Sequence, residues 1–461
     1  MIAARDGGVR GTPSRVAVAS AAGLVAVLAG PIARAQAFTV LTEGKSAAFT
    51  RDAAAGTGSA RIRVAADPGL VQLLDPTVCP ASAHVRIASY PTATNLVTGG
   101  PEVALPCERW HRVPGGWQYD DRAGDAGGVT RLRYTTTALA LDASGPAFPA
   151  VVGPVGFVQL SLRVGEKRLL VRFHGFTRND ERRVESRPAS REAAAGERAF
   201  WATLGGAADQ SDRAIALLRR AVERDRNDGR AWFLLGMMGL WRYELEVPDP
   251  RRADAPGTRE IVAADRALDR AARLLWSGDR GDSRVPGFAA AARYKAAVAL
   301  GDEPAVEAAI ADMRRLADVN PLFNTFIPFG LGPVEPPRSA RYAYVLHLLD
   351  VAFPAIAGVC ADQGEICFND GFAPHNLEGT LVLFGDLFAK GGRVEDARRS
   401  YLTAAAVGEK GGWNGAFVDR ARALADTVDE RAALYADGDP WNDPPFTDLG
   451  GEGNCAYCHN R

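Results

Sequence analysis

Residues 157–173 read FVQLSLRVGEKRLLVRF, and the order of apolar and polar side chains in this stretch decides the class of the first half of the chain. Apolar residues occupy every second position on either side of Gly165-Glu166, which is the period of a strand with one buried face. Gly165 suits the first central position of a tight turn, because glycine adopts positive φ at little cost. The stretch therefore predicts a β-hairpin. Its inward side chains would be Val158, Leu160, Leu162 and Val164 on one strand and Leu169, Val171 and Phe173 on the other.

Shorter runs of the same kind precede the hairpin and are separated by clusters of Gly, Pro and Asp. They are Ala60–Ala65, His84–Ala88, Val129–Thr135 and Leu139–Leu141. Several short strands with turn residues between them indicate a β-sandwich, so we predict an all-β sandwich domain over residues 38–177. No nucleophile, base and acid are grouped in a recognisable order here, which favours a binding or packing module. The isolated histidines of this region are interpreted as surface or hydrogen-bonded residues: His84, His111 and His174.

The hydrophobic period changes after residue 177. Residues 178–199 are charged and small without an apolar face, and we interpret them as a linker or a first exposed helix. Beyond them the period becomes 3.6, since Ala214, Leu218 and Ala221 fall on one helical stripe. The second domain, over residues 200–437, is therefore predicted to be all-α.

Two stretches of this second domain place small and aromatic residues at matching spacings. One is Trp232-Phe-Leu-Leu-Gly236, eighteen residues after Ala214, and the other is residues 380–404, which carry Gly385, Ala397, Tyr401 and Ala404. The pattern resembles the tetratricopeptide repeat, a helix pair of about 34 residues. The second helix of another copy would contain Ala309, Met313, Leu316 and Pro321. The resemblance implies a helical array whose concave groove binds a peptide or protein, and an ordinary helical bundle is the alternative.

The charge balance argues against one class of partner, and the first residues indicate the compartment of the protein. There are 54 Lys and Arg against 55 Asp and Glu, which argues against nucleic acid as a partner. Residues 1–37 have the layout of a secretory signal peptide, with a basic start, an apolar run over 16–29 and Ala35-Gln36-Ala37 at the cleavage position. The apolar run is too short to span a bilayer. We expect an exported protein, periplasmic or extracellular, with no transmembrane segment.

Four of the six cysteines are interpreted as structural. Disulfides persist in exported proteins, and pairing inside each predicted domain gives Cys79–Cys107 and Cys360–Cys367. The first bond would stabilise the fold by roughly 3 kcal/mol through loop closure. A free thiol in the first pair and a metal site at the second pair are the alternatives.

The last eight residues, 454–461, read NCAYCHNR and end a turn-rich tail over residues 438–461. Their C-x-x-C-H resembles the haem attachment motif of c-type cytochromes. The resemblance implies one covalent haem c, bound through thioethers to Cys455 and Cys458, with His459 as the proximal iron ligand. One alternative is a redox or structural disulfide in the tail. Another is half of a zinc site completed by Cys360 and Cys367.

No neighbouring residue supplies a sixth iron ligand, and the remote candidates are His375, His347, Met237, Met238 and Met313. One-electron transfer is favoured over enzymatic turnover, because the sequence places no distal acid–base pair. The helical array would then position the haem or dock a redox partner. The competing hypothesis is a non-redox extracytoplasmic scaffold whose C-terminal cysteines form a disulfide.

Overall fold

The computed structural model describes most of the chain between Phe38 and Phe446. The described ranges are interrupted at residues 53, 72–74, 79–82, 92–97, 100–101, 147, 149–150, 152, 166, 205–209, 247–256, 277–281, 283, 320–322, 356–374, 414 and 438–441. The predicted signal peptide, the C-x-x-C-H motif and every cysteine except Cys107 lie outside the described residues. In the part of the chain that is described, no helix is long and apolar enough to cross a membrane.

The first part of the described chain folds into two sheets. Its strands are β1 (Phe38–Leu41), β2 (Ser46–Asp52), β3 (Thr57–Ala65), β4 (Ala83–Pro91), β5 (Thr98–Gly99), β6 (Val103–Leu105), β7 (Trp110–Val113), β8 (Gly116–Asp120), β9 (Val129–Thr135), β10 (Ala138–Gly145), β11 (Val155–Val164), β12 (Lys167–Phe173), β13 (Arg178–Asn179) and β14 (Arg183–Ser186). Sheet A has the order β1-β12-β11-β4-β5, with β6 also paired to β4, and sheet B has the order β13-β14-β2-β3-β10-β9-β8-β7. Apolar side chains of both sheets share one core. The predicted all-β first half is confirmed.

The predicted hairpin is formed by β11 and β12. Val164 pairs with Lys167, which leaves a two-residue turn, and Gly165 has a φ of +56°. The inward side chains that the alternation predicted lie in the core between the sheets. β11 is hydrogen-bonded to β12 on one side and to β4 on the other, so it is a central strand of sheet A.

The second part of the described chain is helical. Its helices are α1 (Arg191–Leu204), α2 (Ser211–Arg224), α3 (Gly229–Glu246), α4 (Thr258–Leu275), α5 (Arg284–Leu300), α6 (Glu303–Val319), α7 (Phe323–Leu331), α8 (Ala340–Ala355), α9 (Asn376–Lys390), α10 (Val394–Gly411), α11 (Gly415–Asp426) and α12 (Val428–Ala436). Gly385 lets α9 and α10 approach closely, because a Cβ at this position would lie 2.4 Å from the Tyr401 ring. The all-α second half is confirmed, and its helix pairs are compatible with a tetratricopeptide-like array.

Residues 178–199 differ from the predicted linker. β14 pairs with β2, and Val184 is fully buried in the sandwich core opposite Phe49. α1 already begins at Arg191 and buries Phe200 among the helices. No apolar period marks this stretch, because one buried valine between charged residues is enough to attach so short a strand.

The outer face of sheet A is covered by the helices. Lys45, in the turn before β2, is buried and its Nζ donates a hydrogen bond to Oε2 of Glu197 in α1 at 3.0 Å. Arg230 of α3 donates to the other carboxylate oxygen of Glu197 at 3.4 Å. Burial alone would raise the pKa of Glu197, but the charges of Lys45 and Arg230 outweigh it and hold that pKa below its ordinary value. An ion pair between the sandwich and the helices therefore lies out of contact with water.

Aromatic and cationic groups also lie at the contact between sheet A and the helices. Phe157 of β11 is fully buried on the outer face of sheet A. The guanidinium carbons of Arg172 and Arg284 lie 4.5 Å and 4.0 Å from the centre of its ring. The ring of His174 stacks on Phe157 at 5.4 Å, and His174 Nε2 is buried with no hydrogen-bond partner among the described residues. Burial and the neighbouring cations hold the pKa of His174 well below its ordinary value, so this imidazole is neutral in the folded protein.

We expect the free energy of unfolding to fall as the pH is lowered from about 7.5 to about 5.5, because His174 takes up a proton in the unfolded chain near pH ~6.5 but not in the folded one. Urea unfolding at both pH values should show a smaller pH dependence for His174→Gln than for the wild type. The matched control is His111→Gln, which replaces a side chain that is 51% exposed and should keep the wild-type dependence. The same pH dependence in His174→Gln and the wild type would contradict the assignment.

Candidate functional site

The last described residues, 442–446, pack against the helical half, and we call them the tail anchor. The Phe446 ring lies 5.6 Å from the Tyr435 ring of α12. It also lies 5.4 Å from Nζ of Lys390, at the end of α9. Phe446 packs against the same apolar core that holds α5 to α12 together. The chain is thus attached to the array nine residues before Cys455.

The backbone of the tail anchor is bound by side chains of α12. Tyr435 donates a hydrogen bond from its hydroxyl to the carbonyl oxygen of Pro444 at 2.9 Å. Arg431 donates from Nη2 to the carbonyl oxygen of Pro445. These bonds recognise the course of the main chain, so they depend on the path of the tail rather than on the identity of its side chains.

Arg431 is held in place by a buried carboxylate. Its Nε donates to Oδ1 of Asp386 at 2.9 Å, and the hydroxyl of Tyr401 donates to the same oxygen at 2.5 Å. Asp386 is fully buried. Burial alone would lower the pKa of Arg431, but the charge of Asp386 outweighs it and the pKa is raised. Burial and the Asp386 charge also raise the pKa of Tyr401, so this phenol stays protonated.

Lys390 connects the tail anchor to a second part of the array. Its Nζ donates hydrogen bonds to the carbonyl oxygens of Gly332 and Pro333 at 3.0 Å and 3.1 Å, just after α7. The same Nζ lies 5.4 Å from the ring of Tyr342 in α8. The hydroxyl of Tyr342 donates to the carbonyl oxygen of Leu387 at 2.7 Å. One ammonium group thus joins the α7–α8 connection, the end of α9 and Phe446.

The anchor limits where the C-x-x-C-H motif can lie. Cys455, Cys458 and His459 are outside the described residues, but Phe446 fixes the start of the segment that carries them. Nine residues span at most about 30 Å when fully extended. Any group attached at Cys455 therefore remains within that distance of the Phe446 end of the array.

The predicted disulfides fall largely on undescribed positions. Cys107 is disulfide-bonded, and it is the only cysteine among the described residues. The pairing of Cys107 with Cys79 and the pairing of Cys360 with Cys367 remain predictions. Among the residues that the structure describes, no group of three or more His, Cys, Asp and Glu side chains could hold a metal ion.

The structure separates the five candidate sixth ligands. Met238 and Met313 are buried in two different apolar cores, and Met237 packs against the first of these. His375 is buried, with Nδ1 at 3.1 Å from Oε1 of Glu378. His347 is exposed on α8. The five side chains therefore form no common site.

His347 is the exposed candidate among the five. It follows the buried Tyr342 by five residues on α8, which places the two side chains about 140° apart around the helix. The preceding residue, Leu346, touches the end of α9, since a Cβ on Gly391 would lie 2.7 Å from it. His375 stands at the start of α9, about 22 Å along the axis from Lys390. Of the two histidines, His347 is the exposed one and His375 is buried.

The anchoring network could not be found in the sequence. Asp386 and Arg431 are 45 residues apart and belong to no motif. The stretch before Cys455 was interpreted as a connector, and its Gly and Pro content gave no sign that Phe446 is a packed residue. Of the tyrosines in the network, the sequence pattern indicates only Tyr401, as a repeat position.

Phe446→Ala is expected to lower the free energy of unfolding by about 1 kcal/mol, because it removes a half-buried ring from the core of the array. Amide exchange at Asn442, Asp443 and position 446 should become faster in the variant. Leu434→Ala is the matched control, since Leu434 is 38% exposed on α12 and its loss should change stability by less than about 0.5 kcal/mol. Equal, negligible effects of both substitutions would contradict the anchor.

Comparison with known proteins gives no assignment for this arrangement. No family model matches the chain. No curated protein and no solved structure is significantly similar to it. The function must therefore be inferred from the residues of this chain.

Proposed function

We propose that this protein is an exported c-type haem protein that transfers single electrons. The observation that carries the proposal is the C-x-x-C-H motif at Cys455–His459. The attachment of Phe446 to the helical half, nine residues before Cys455, supports a role of the array as its carrier. Haem c, when bound, supplies an iron that accepts and donates one electron at a time.

The residues of the motif have separate roles in this proposal. Cys455 and Cys458 would hold the cofactor by adding their thiols across its two vinyl groups. In each addition a carbon–sulfur bond forms and the thiol hydrogen passes to the other vinyl carbon, so no external oxidant is consumed. His459 would bind the iron through its imidazole. Both the signal peptide and the attachment chemistry fit an extracytoplasmic protein, periplasmic or extracellular.

The helical array would serve as the support of the redox group. The tail anchor is held by Arg431, whose ion pair with Asp386 is buried together with the hydrogen bond from Tyr401. Salt and pH near neutrality therefore have little effect on this attachment. A support of this kind keeps the cofactor within about 30 Å of the array without making the array part of the chemistry. A redox partner would dock close to this end of the helical half.

The experiment is expression of the full chain in cells that attach haem c. The purified protein should be coloured, and its visible band should survive acid-acetone extraction because the bond is covalent. Cys455→Ala combined with Cys458→Ala should abolish the band, while Cys360→Ala combined with Cys367→Ala should retain it. Colourless wild-type protein would instead support the alternative, a non-redox scaffold whose C-terminal cysteines form a disulfide.

We infer that His347 supplies the sixth iron ligand, since it is the exposed side chain among the five candidates. His347→Ala should convert the visible spectrum of the ferric protein from low-spin to high-spin without loss of covalent haem. His375→Ala is the matched control and should keep the low-spin spectrum. A low-spin spectrum in His347→Ala would contradict the assignment.

A further inference from the structure

The tail anchor has the backbone preferences of a proline-rich ligand. Its sequence over residues 442–446 is Asn-Asp-Pro-Pro-Phe. Proline fixes φ at about −65°, and a residue that precedes a proline is restricted to extended backbone, so Asp443 and Pro444 favour the polyproline II conformation. Within the described part of the chain, this segment forms no backbone–backbone hydrogen bond. Its carbonyl groups are therefore available to the side chains around it.

Two successive carbonyl groups of the anchor are bound by donors on α12. The hydroxyl of Tyr435 donates to the carbonyl oxygen of Pro444 at 2.9 Å, and Nη2 of Arg431 donates to that of Pro445. The two donors are four residues apart, so they lie on the same face of the helix. Proline-rich segments dock on aromatic surfaces in this extended form. The face of α12 thus reads a main-chain path that consecutive prolines adopt readily.

The third element of recognition is an aromatic side chain directly after the two prolines. The Phe446 ring lies 5.6 Å from the ring of Tyr435 and 5.4 Å from Nζ of Lys390. An ammonium group beside an aromatic ring is favourable, and the ring also packs against the apolar core of the array. The surface therefore fits the sequence Pro-Pro-aromatic.

The binding residues are held in place by contacts that do not involve the tail. Nε of Arg431 donates to Oδ1 of the buried Asp386 at 2.9 Å. Nζ of Lys390 donates to the carbonyl oxygen of Gly332 at 3.0 Å. Both cations would keep these partners if the tail left, so the surface is preformed. A preformed site loses little conformational freedom when it binds a ligand.

The tail itself is attached by few contacts. Asn442 and Pro445 are exposed, and Phe446 is only half-buried. Segments with little buried apolar surface and no backbone ladder open at a much lower free energy than the whole protein. The anchor can therefore leave the surface while the helices stay folded, and a segment of the same chemistry can take its place.

We propose that the surface formed by Arg431, Tyr435 and Lys390 is a docking site for a partner protein, which presents two consecutive prolines and an aromatic residue in extended form. The tail of this chain occupies the site in cis until the partner displaces it. Displacement leaves the chain attached at Asp437, eighteen residues before Cys455, and extends the reach of the motif from about 30 Å to about 60 Å. Docking itself needs no haem, while its consequence, release of the redox group towards the partner, rests on the function proposed above.

The test measures, by fluorescence anisotropy, how a labelled peptide with residues 438–450 of this chain, GDPWNDPPFTDLG, binds to the full-length protein. Phe446→Ala weakens the attachment of the protein's own tail. This variant should bind the peptide about tenfold more tightly than the wild type, whose tethered tail competes for the site. The same peptide carrying Phe446→Ala should bind the variant protein about tenfold more weakly, because it lacks the aromatic anchor.

A second substitution in the Phe446→Ala protein tests the surface itself. Tyr435→Phe removes the hydroxyl that binds the first carbonyl group and should weaken peptide binding about fivefold. Tyr344→Phe is the matched control, since this half-buried tyrosine of α8 lies against Arg314 instead, and it should leave peptide binding unchanged. Unchanged far-UV circular dichroism in both double variants should accompany these results.

Phe446→Ala protein that does not bind the peptide would overturn the docking site, as would equal binding of the peptides with and without the aromatic ring. So would a wild-type dimer that Phe446→Ala dissociates, because the occupant would then be the tail of a second copy. A colourless protein that binds the peptide as expected would support the docking site and contradict the proposed electron transfer, which keeps the two failures distinguishable.

Discussion

The buried ion pair between Lys45 and Glu197 is the constraint on which the arrangement of the two halves depends. Neither charge is accessible to water, and each comes from a different half of the chain. An isolated charge in this position would be costly, and breaking such a pair typically costs about 3–5 kcal/mol, because the remaining charge stays buried. Arg230 completes the pairing of Glu197 from a third element. The first helix is therefore bound to the sandwich at one defined position.

A buried carboxylate paired with a cation also occurs at the other end of the array. Asp386 is fully buried, and Arg431 and Tyr401 donate hydrogen bonds to one of its oxygens. Because Arg431 also binds the carbonyl oxygen of Pro445, the charge pair that stabilises the helices also fixes the direction in which the tail leaves them. The position of residues 444–446 is thus determined by the core of the array.

Local patterns predicted the elements of the fold, while long-range contacts determined everything that joins them. The turn residue Gly165 predicted the hairpin and its register. The spacing of Gly385 and Tyr401 predicted a helix pair. The alternation in β11 could not show that Phe157 is buried as well, since Arg284 of α5, which covers its ring, is more than a hundred residues away. The motif at Cys455 suggested the chemistry. Phe446 and Asp386, which attach the chain before this motif, have no sequence signature.

The position of β11 has a consequence for how the molecule comes apart. This strand is paired on both edges, and its residues from Val155 to Leu160 are buried on both faces. Arg284 of α5 covers the outward ring of Phe157. Loss of the helices would expose this apolar surface to water, so the sandwich and the array are energetically coupled at this strand.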